Sequence, residues 1–130
     1  MITLQGEPAA KQPLGKSLLI IELIQFNFLN EERYARSFAR GKFRIKKWGK
    51  LKIRMALKKR DVYFKYIDVA MLEIDDKTYL ITLKELLQKK NETVKEMNSY
   101  KRKMKLTSYL VSRGYEYDLI NAALVELKLC

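Results

Sequence analysis

Between Arg33 and Arg60 the chain carries thirteen Lys or Arg residues and no Asp or Glu. The whole chain has 27 basic and 15 acidic residues, so outside this strip 14 basic residues face 15 acidic ones. The net charge of +12 therefore sits in 28 consecutive residues. The chemistry of such a field is ionic. It suits a polyanion: nucleic acid, an anionic membrane surface or an acidic protein groove. Candidates for bond-making chemistry are few. The absence of histidine removes the commonest general base, the Ser-His triads and imidazole-ligated metals. A single cysteine, Cys130, excludes a CxxC zinc site and an intrachain disulfide, and fits a reducing cytoplasm. The five glycines form no phosphate-cradling loop of either usual spacing. The acid pairs Glu31/Glu32 and Asp75/Asp76 fall where helix starts are expected, and acids there complement the helix dipole. No enzyme, metal or cofactor is expected.

The elements that must position the strip are helical. From Leu18 onward there is no proline, and helix formers are plentiful. Placed on a helix at about 100° per residue, Arg33, Arg36, Arg40, Arg44 and Lys47 fall within an arc of roughly 80°. Tyr34, Phe38 and Ile45, with Gly41 beside them, cluster on another face and are expected to anchor the helix to a core. Solvated faces usually mix signs, whereas this stripe carries repulsion that an external anion would offset. Gly49 is expected to break the helix, with Lys50, Lys52 and Arg54 opening the next one. Trp48 either stacks on a base or packs between helices, and packing is the commoner role for a lone Trp beside a turn. A second basic cluster, "YKRKMK", holds Lys101, Arg102, Lys103 and Lys105. Lys46 and Arg113 complete the candidate binding residues.

A repeat organises the rest. Tyr63, Tyr66, Ile67, Ala70, Met71 and Ile74 follow the spacing of one buried helical face. Leu119, Ile120, Ala123, Leu124 and Leu127 do the same near the end of the chain. A shift of 53 residues relates the two: Ile53 falls on Leu106, Leu57 on Leu110, Arg60 on Arg113, Val62 on Tyr115 and Ile67 on Ile120. Lys50 and Lys52 fall on Lys103 and Lys105, so the same surface of each repeat is expected to face the same partner. Gly114 is the residue for a left-handed helix stop, and Asp61 holds that place in the first copy. Each copy has a further helix in front. The second begins near Asp75, with Tyr79, Leu83, Leu86 and Leu87 apolar; the first begins at Asn30 as N-cap. A seventh helix, about Leu18 to Phe28, precedes them, and Met1–Ser17 reads as an irregular tail. The apolar run Leu18–Leu29 contains Glu22 and is too short to span a bilayer. No signal peptide or membrane association is expected.

At this point the chain resembles a known family. "FLNEERYARSFARGKFRIKKWGKLKIRMALKKRDV" resembles the central repeat of the RecX regulators of the RecA recombinase, and "KRKMKLTSYLVSRGYEYDLINAAL" resembles their final repeat. The resemblance runs from about Ile20 to Leu127. It implies an all-α, elongated array of tandem three-helix repeats: 30–75, 76–130, and a remnant helix of a first repeat over 18–29. It implies a non-enzymatic, cytoplasmic, monomeric protein. Such a protein would bind the RecA filament on single-stranded DNA, with auxiliary affinity for that DNA, and restrain recombination and repair. The alternative is a general nucleic-acid-binding helical protein acting through the Arg33–Arg60 strip. Two helices that the family carries before "LLIIELIQFNFLNEERYA" have no counterpart in Met1–Ser17, so the chain reads as an N-terminally truncated or rearranged member. Phe26 and Phe28 are then expected to stand partly exposed.

Overall fold

The computed structural model describes residues 13–129, with side chains from Leu19. The tail expected over 1–12 and the thiol of Cys130 lie outside the described residues. Six helices follow in order: α1 Pro13–Lys46, α2 Lys50–Lys59, α3 Phe64–Met71, α4 Asp76–Thr93, α5 Ser99–Ser112 and α6 Tyr117–Glu126.

The first helix departs from expectation. It runs 34 residues without a break, so the helix expected over 18–28 and the one expected from Asn30 are a single element. Pro13–Ser17 also belong to it rather than to an irregular tail. No Gly or Pro lies between Lys16 and Arg40. A capping residue favours a helix start but does not break a helix already running, and propagation costs less than a second nucleation. Glu31 and Glu32 therefore sit mid-helix, where Glu32 pairs with Arg36 one turn on at 2.9 Å. The other acid pair is placed as expected. Asp75 caps α4 by accepting from the Thr78 amide at 2.9 Å, and that bond holds its carboxyl below the usual range.

Core contacts follow the 53-residue repeat. In the first unit Ile53, Leu57, Val62, Ile67, Ala70 and Met71 are buried, and so are their counterparts Leu106, Leu110, Tyr115, Ile120, Ala123 and Leu124. Tyr79, Leu83 and Leu87 supply the α4 face. Helix α3 ends at Met71, short of the expected Ile74, which still reaches the core from the following turn. Asp61 and Gly114 both adopt positive φ, 59° and 99°, so the two turns match. We expect Asp61→Gly to raise stability by about 1 kcal/mol, because glycine enters this conformation without a Cβ clash. A thermal melt checks this; an unchanged or lower midpoint would contradict it.

The face of α1 that meets the core is not the one with most apolar bulk. Ala35, Ala39 and Phe43 are buried, while Tyr34 and Ile45 are exposed and Phe38 is half-buried at the flank. Two alanines one turn apart let α3 approach closely. The expected anchor of Tyr34, Phe38 and Ile45 is corrected accordingly. Phe26 and Phe28 are exposed, as expected, on the N-terminal half of α1.

Helix-on-helix packing stays within each triplet, α1–α3 and α4–α6. The two units are joined turn to turn. The Gly49 amide donates to the Arg113 carbonyl at 2.7 Å, and the Leu51 amide to the Gly114 carbonyl at 3.0 Å. The Lys50 amide donates to Tyr79 Oη at 2.9 Å, and that hydroxyl donates to Glu116 at 2.5 Å. The first turn of α2, which has no side-chain cap, is thus satisfied by the second unit. Tyr79 stacks on Tyr115 with centroids 5.1 Å apart, and Tyr115 Oη donates to the Lys47 carbonyl at 2.9 Å. Burial pushes both phenols well above the ordinary tyrosine range.

Candidate polyanion-binding interface

The basic stripe on α1 divides into two classes. Arg36 and Arg40 reach across to Glu73, in the turn after α3, with N–O distances of 3.2 and 2.8 Å. They hold α1 against α3, and Arg36 also holds Glu32. The expected repulsion along the stripe is therefore compensated at its centre by acids distant or earlier in sequence. Arg33 and Arg44 are exposed and form no ion pair among the described residues. Lys46 and Lys47, also exposed, extend the free charge past the helix end, where Lys47 takes φ 56° and leaves the helix. The helix stop is thus Lys47, and Gly49 serves as N-cap of α2.

On α2, Arg54 pairs with Asp68 at 2.9 Å and Lys50 with Asp76 at 3.3 Å. Lys52 pairs with no carboxylate among the described residues, its Nζ lying 4.6 Å from the Trp48 ring centroid. In the second cluster Lys101 is exposed and Lys103 half-exposed, while Lys105 approaches Glu96 at 3.8 Å. Arg102 has an internal task. Its guanidinium donates to Asn91 Oδ1 and to the carbonyls of Asn91, Val94 and Glu96 at 2.8–3.0 Å, closing the turn between α4 and α5. Arg113 donates to the Lys46 carbonyl and so belongs to the junction between units.

Packing of α2 on α1 also gathers residues the sequence did not single out. Lys42 Nζ lies 4.9 Å from the Trp48 centroid, Arg60 lies 4.7 Å from that of Phe38, and the two rings meet edge-on at 6.4 Å. Trp48 is half-buried, so it packs as the commoner role predicts. Its ring nonetheless lines a cleft of about 470 Å³ with Lys52, Met55, Lys59, Arg60 and Ser112, where α2 faces the end of α5. A clue to Lys42, Lys59 and Arg60 was their place in the acid-free run. Cations around an indole suit a phosphate chain bearing flat rings. Among the described residues no cluster of acids is placed to hold a metal, and no helix is long and apolar enough to cross a membrane.

Two family models match this chain: the second three-helix domain of RecX over residues 30–71 and the third over 78–124. The chain belongs to the RecX family. The matched stretches take in α1 from Asn30 through α3, and most of α4 through α6, as tandem three-helix domains. The "Regulatory protein RecX" of Clostridium acetobutylicum is 33% identical over 113 residues, covering 83% of this chain and 52% of that protein. That of Clostridium perfringens is 33% identical over 102 residues, covering 77% and 47%. That of Bacillus mycoides is 26% identical over 121 residues, covering 91% and 45%. This RecX-family chain spans about half the length of the curated relatives it matches. No solved structure matches it.

Proposed function

We propose that this RecX-family chain is a negative modulator of the RecA recombinase. It binds the RecA filament on single-stranded DNA and limits recombination and repair, without enzymatic activity or cofactor. It acts in the cytoplasm as a monomer. The observation that carries this reading is the set of free cations Arg33, Arg44, Lys46 and Lys47 along the C-terminal half of α1 and just past its end, in a family whose members are named regulators. An exposed basic surface of this kind suits a nucleoprotein, which offers phosphate and carboxylate together. Residues 18–29, which run on into the rest of α1 without a break, are read as the remnant of a first repeat. A second reading, plain nucleic-acid binding, draws on the cleft beside Trp48.

The test is a titration of RecA's DNA-dependent ATP hydrolysis with DNA in excess. We expect slowing well below one chain per RecA, because a filament binder acts on many protomers at once. No slowing at any ratio would sink the regulatory reading for this chain and leave the nucleic-acid one.

A further inference from the structure

The outward crevice between the last two helices of each unit is open, apolar-floored and repeated. In the first unit it is a groove of about 540 Å³ between α2 and α3, floored by Leu51, Met55 and Phe64. In the second it is a groove of about 500 Å³ between α5 and α6, lined by Met104, Ser108 and Tyr117. The 53-residue shift carries Leu51 onto Met104, Met55 onto Ser108 and Phe64 onto Tyr117. The two grooves are therefore one feature of the fold, present twice. Their large side chains are exposed, with Phe64 at 62%, Met55 at 59% and Tyr117 at 59%. A helix pair seeking only stability has no use for this apolar surface in water.

The rims choose the occupant. At the first groove Arg54 is paired with Asp68, and Lys58 is exposed with no ion pair among the described residues. At the second the one charged lining residue is Lys103. Each groove thus joins exposed apolar side chains to one uncompensated cation, the second also carrying the hydroxyls of Thr107, Ser108 and Ser112. The complementary ligand is an amphipathic helix with an apolar ridge and acidic flanks, the helix-in-groove mode of recognition. We propose that these are twin docking grooves for acidic amphipathic helices of a protein partner that presents the same segment twice. A polymer of identical subunits is such a partner. In that respect the proposal extends the filament reading, but the groove itself stands on geometry and charge.

The probe is a fluorescein-labelled amphipathic peptide with leucines on one face and glutamates on the other, compared with its lysine counterpart. We expect the full chain to bind two glutamate peptides by anisotropy and calorimetry, and the lysine peptide at least about tenfold more weakly. Leu51→Ser/Phe64→Ser and Met104→Ser/Tyr117→Ser should each remove one site, with helix content and melting midpoint retained. No binding, equal binding of both peptides, or two sites surviving in either variant would overturn the proposal. Saturation at one peptide would overturn the twin arrangement. The wild-type comparison decides the issue even if a variant fails to fold. Because the ATPase titration uses no peptide, failure of the grooves and failure of the filament reading are separate results.

Discussion

Gly49→Ala is expected to lower the melting midpoint by about 10 °C, the equivalent of about 3 kcal/mol of overpacking in a chain of this size. The backbone at Gly49, φ −77° and ψ 166°, is one that alanine adopts freely. The cost comes from across the junction. A Cβ built there lies 2.2 Å from the Gly114 carbonyl carbon, 2.3 Å from its oxygen and 2.4 Å from the Tyr115 nitrogen. These are backbone atoms, and Gly114 is held at φ 99° by its own turn, so neither side can give way cheaply. To admit the methyl, the turns must part. The Gly49–Arg113 and Leu51–Gly114 bonds would then lengthen or break. The first turn of α2 would lose its partners, while each triplet kept its own core. Limited proteolysis should accordingly cut near residues 47–50 faster than in the wild type. A midpoint within about 2 °C of wild type would show that the two turns do not meet this closely.

The second large effect separates the two classes of cation on α1. Reversing Arg33, Arg44 and Lys47 to Glu is expected to weaken single-stranded DNA binding on the order of a hundredfold at low salt. The slope of log affinity against log salt should fall by about 2, since each phosphate contact to single strands contributes about 0.7. The melting midpoint should hold, because Arg33 and Arg44 make no ion pair among the described residues and Lys47 is exposed. Reversing Arg36 and Arg40 should do the opposite. It would set two new carboxylates against Glu73, and one of them also against Glu32, and destabilise the α1–α3 contact. Filter binding across a salt series, read beside thermal melts, checks both. Retained DNA affinity in the first variant would remove phosphate contact from the stripe and point to acidic protein surface instead. Equal melts for the second variant would contradict a structural role for the Arg36–Glu73–Arg40 clamp.

The periodic features of this protein were legible in its sequence. The 53-residue shift named buried pairs, such as Ile53 and Leu106 or Leu57 and Leu110, because burial on one helical face imposes a local spacing. The positive φ at Gly114 and Asp61 was also legible, since turn geometry is set by a few neighbouring residues. The acid-free strip located the chain's net charge from composition alone. Three things needed the tertiary structure. Ala35 and Ala39, rather than Tyr34 and Ile45, face the core because closeness of approach, not apolar bulk, selects the buried face. Arg36, Arg40 and Arg102 are engaged within the chain because their acceptors, Glu73 and the carbonyls around Asn91, lie elsewhere along it. Gly49 looked like a local helix breaker, yet the helix stops at Lys47, and glycine is required at 49 by a backbone 65 positions away. Local spacing is written into neighbouring residues, whereas the choice between a free charge and a paired one is made only when distant segments meet.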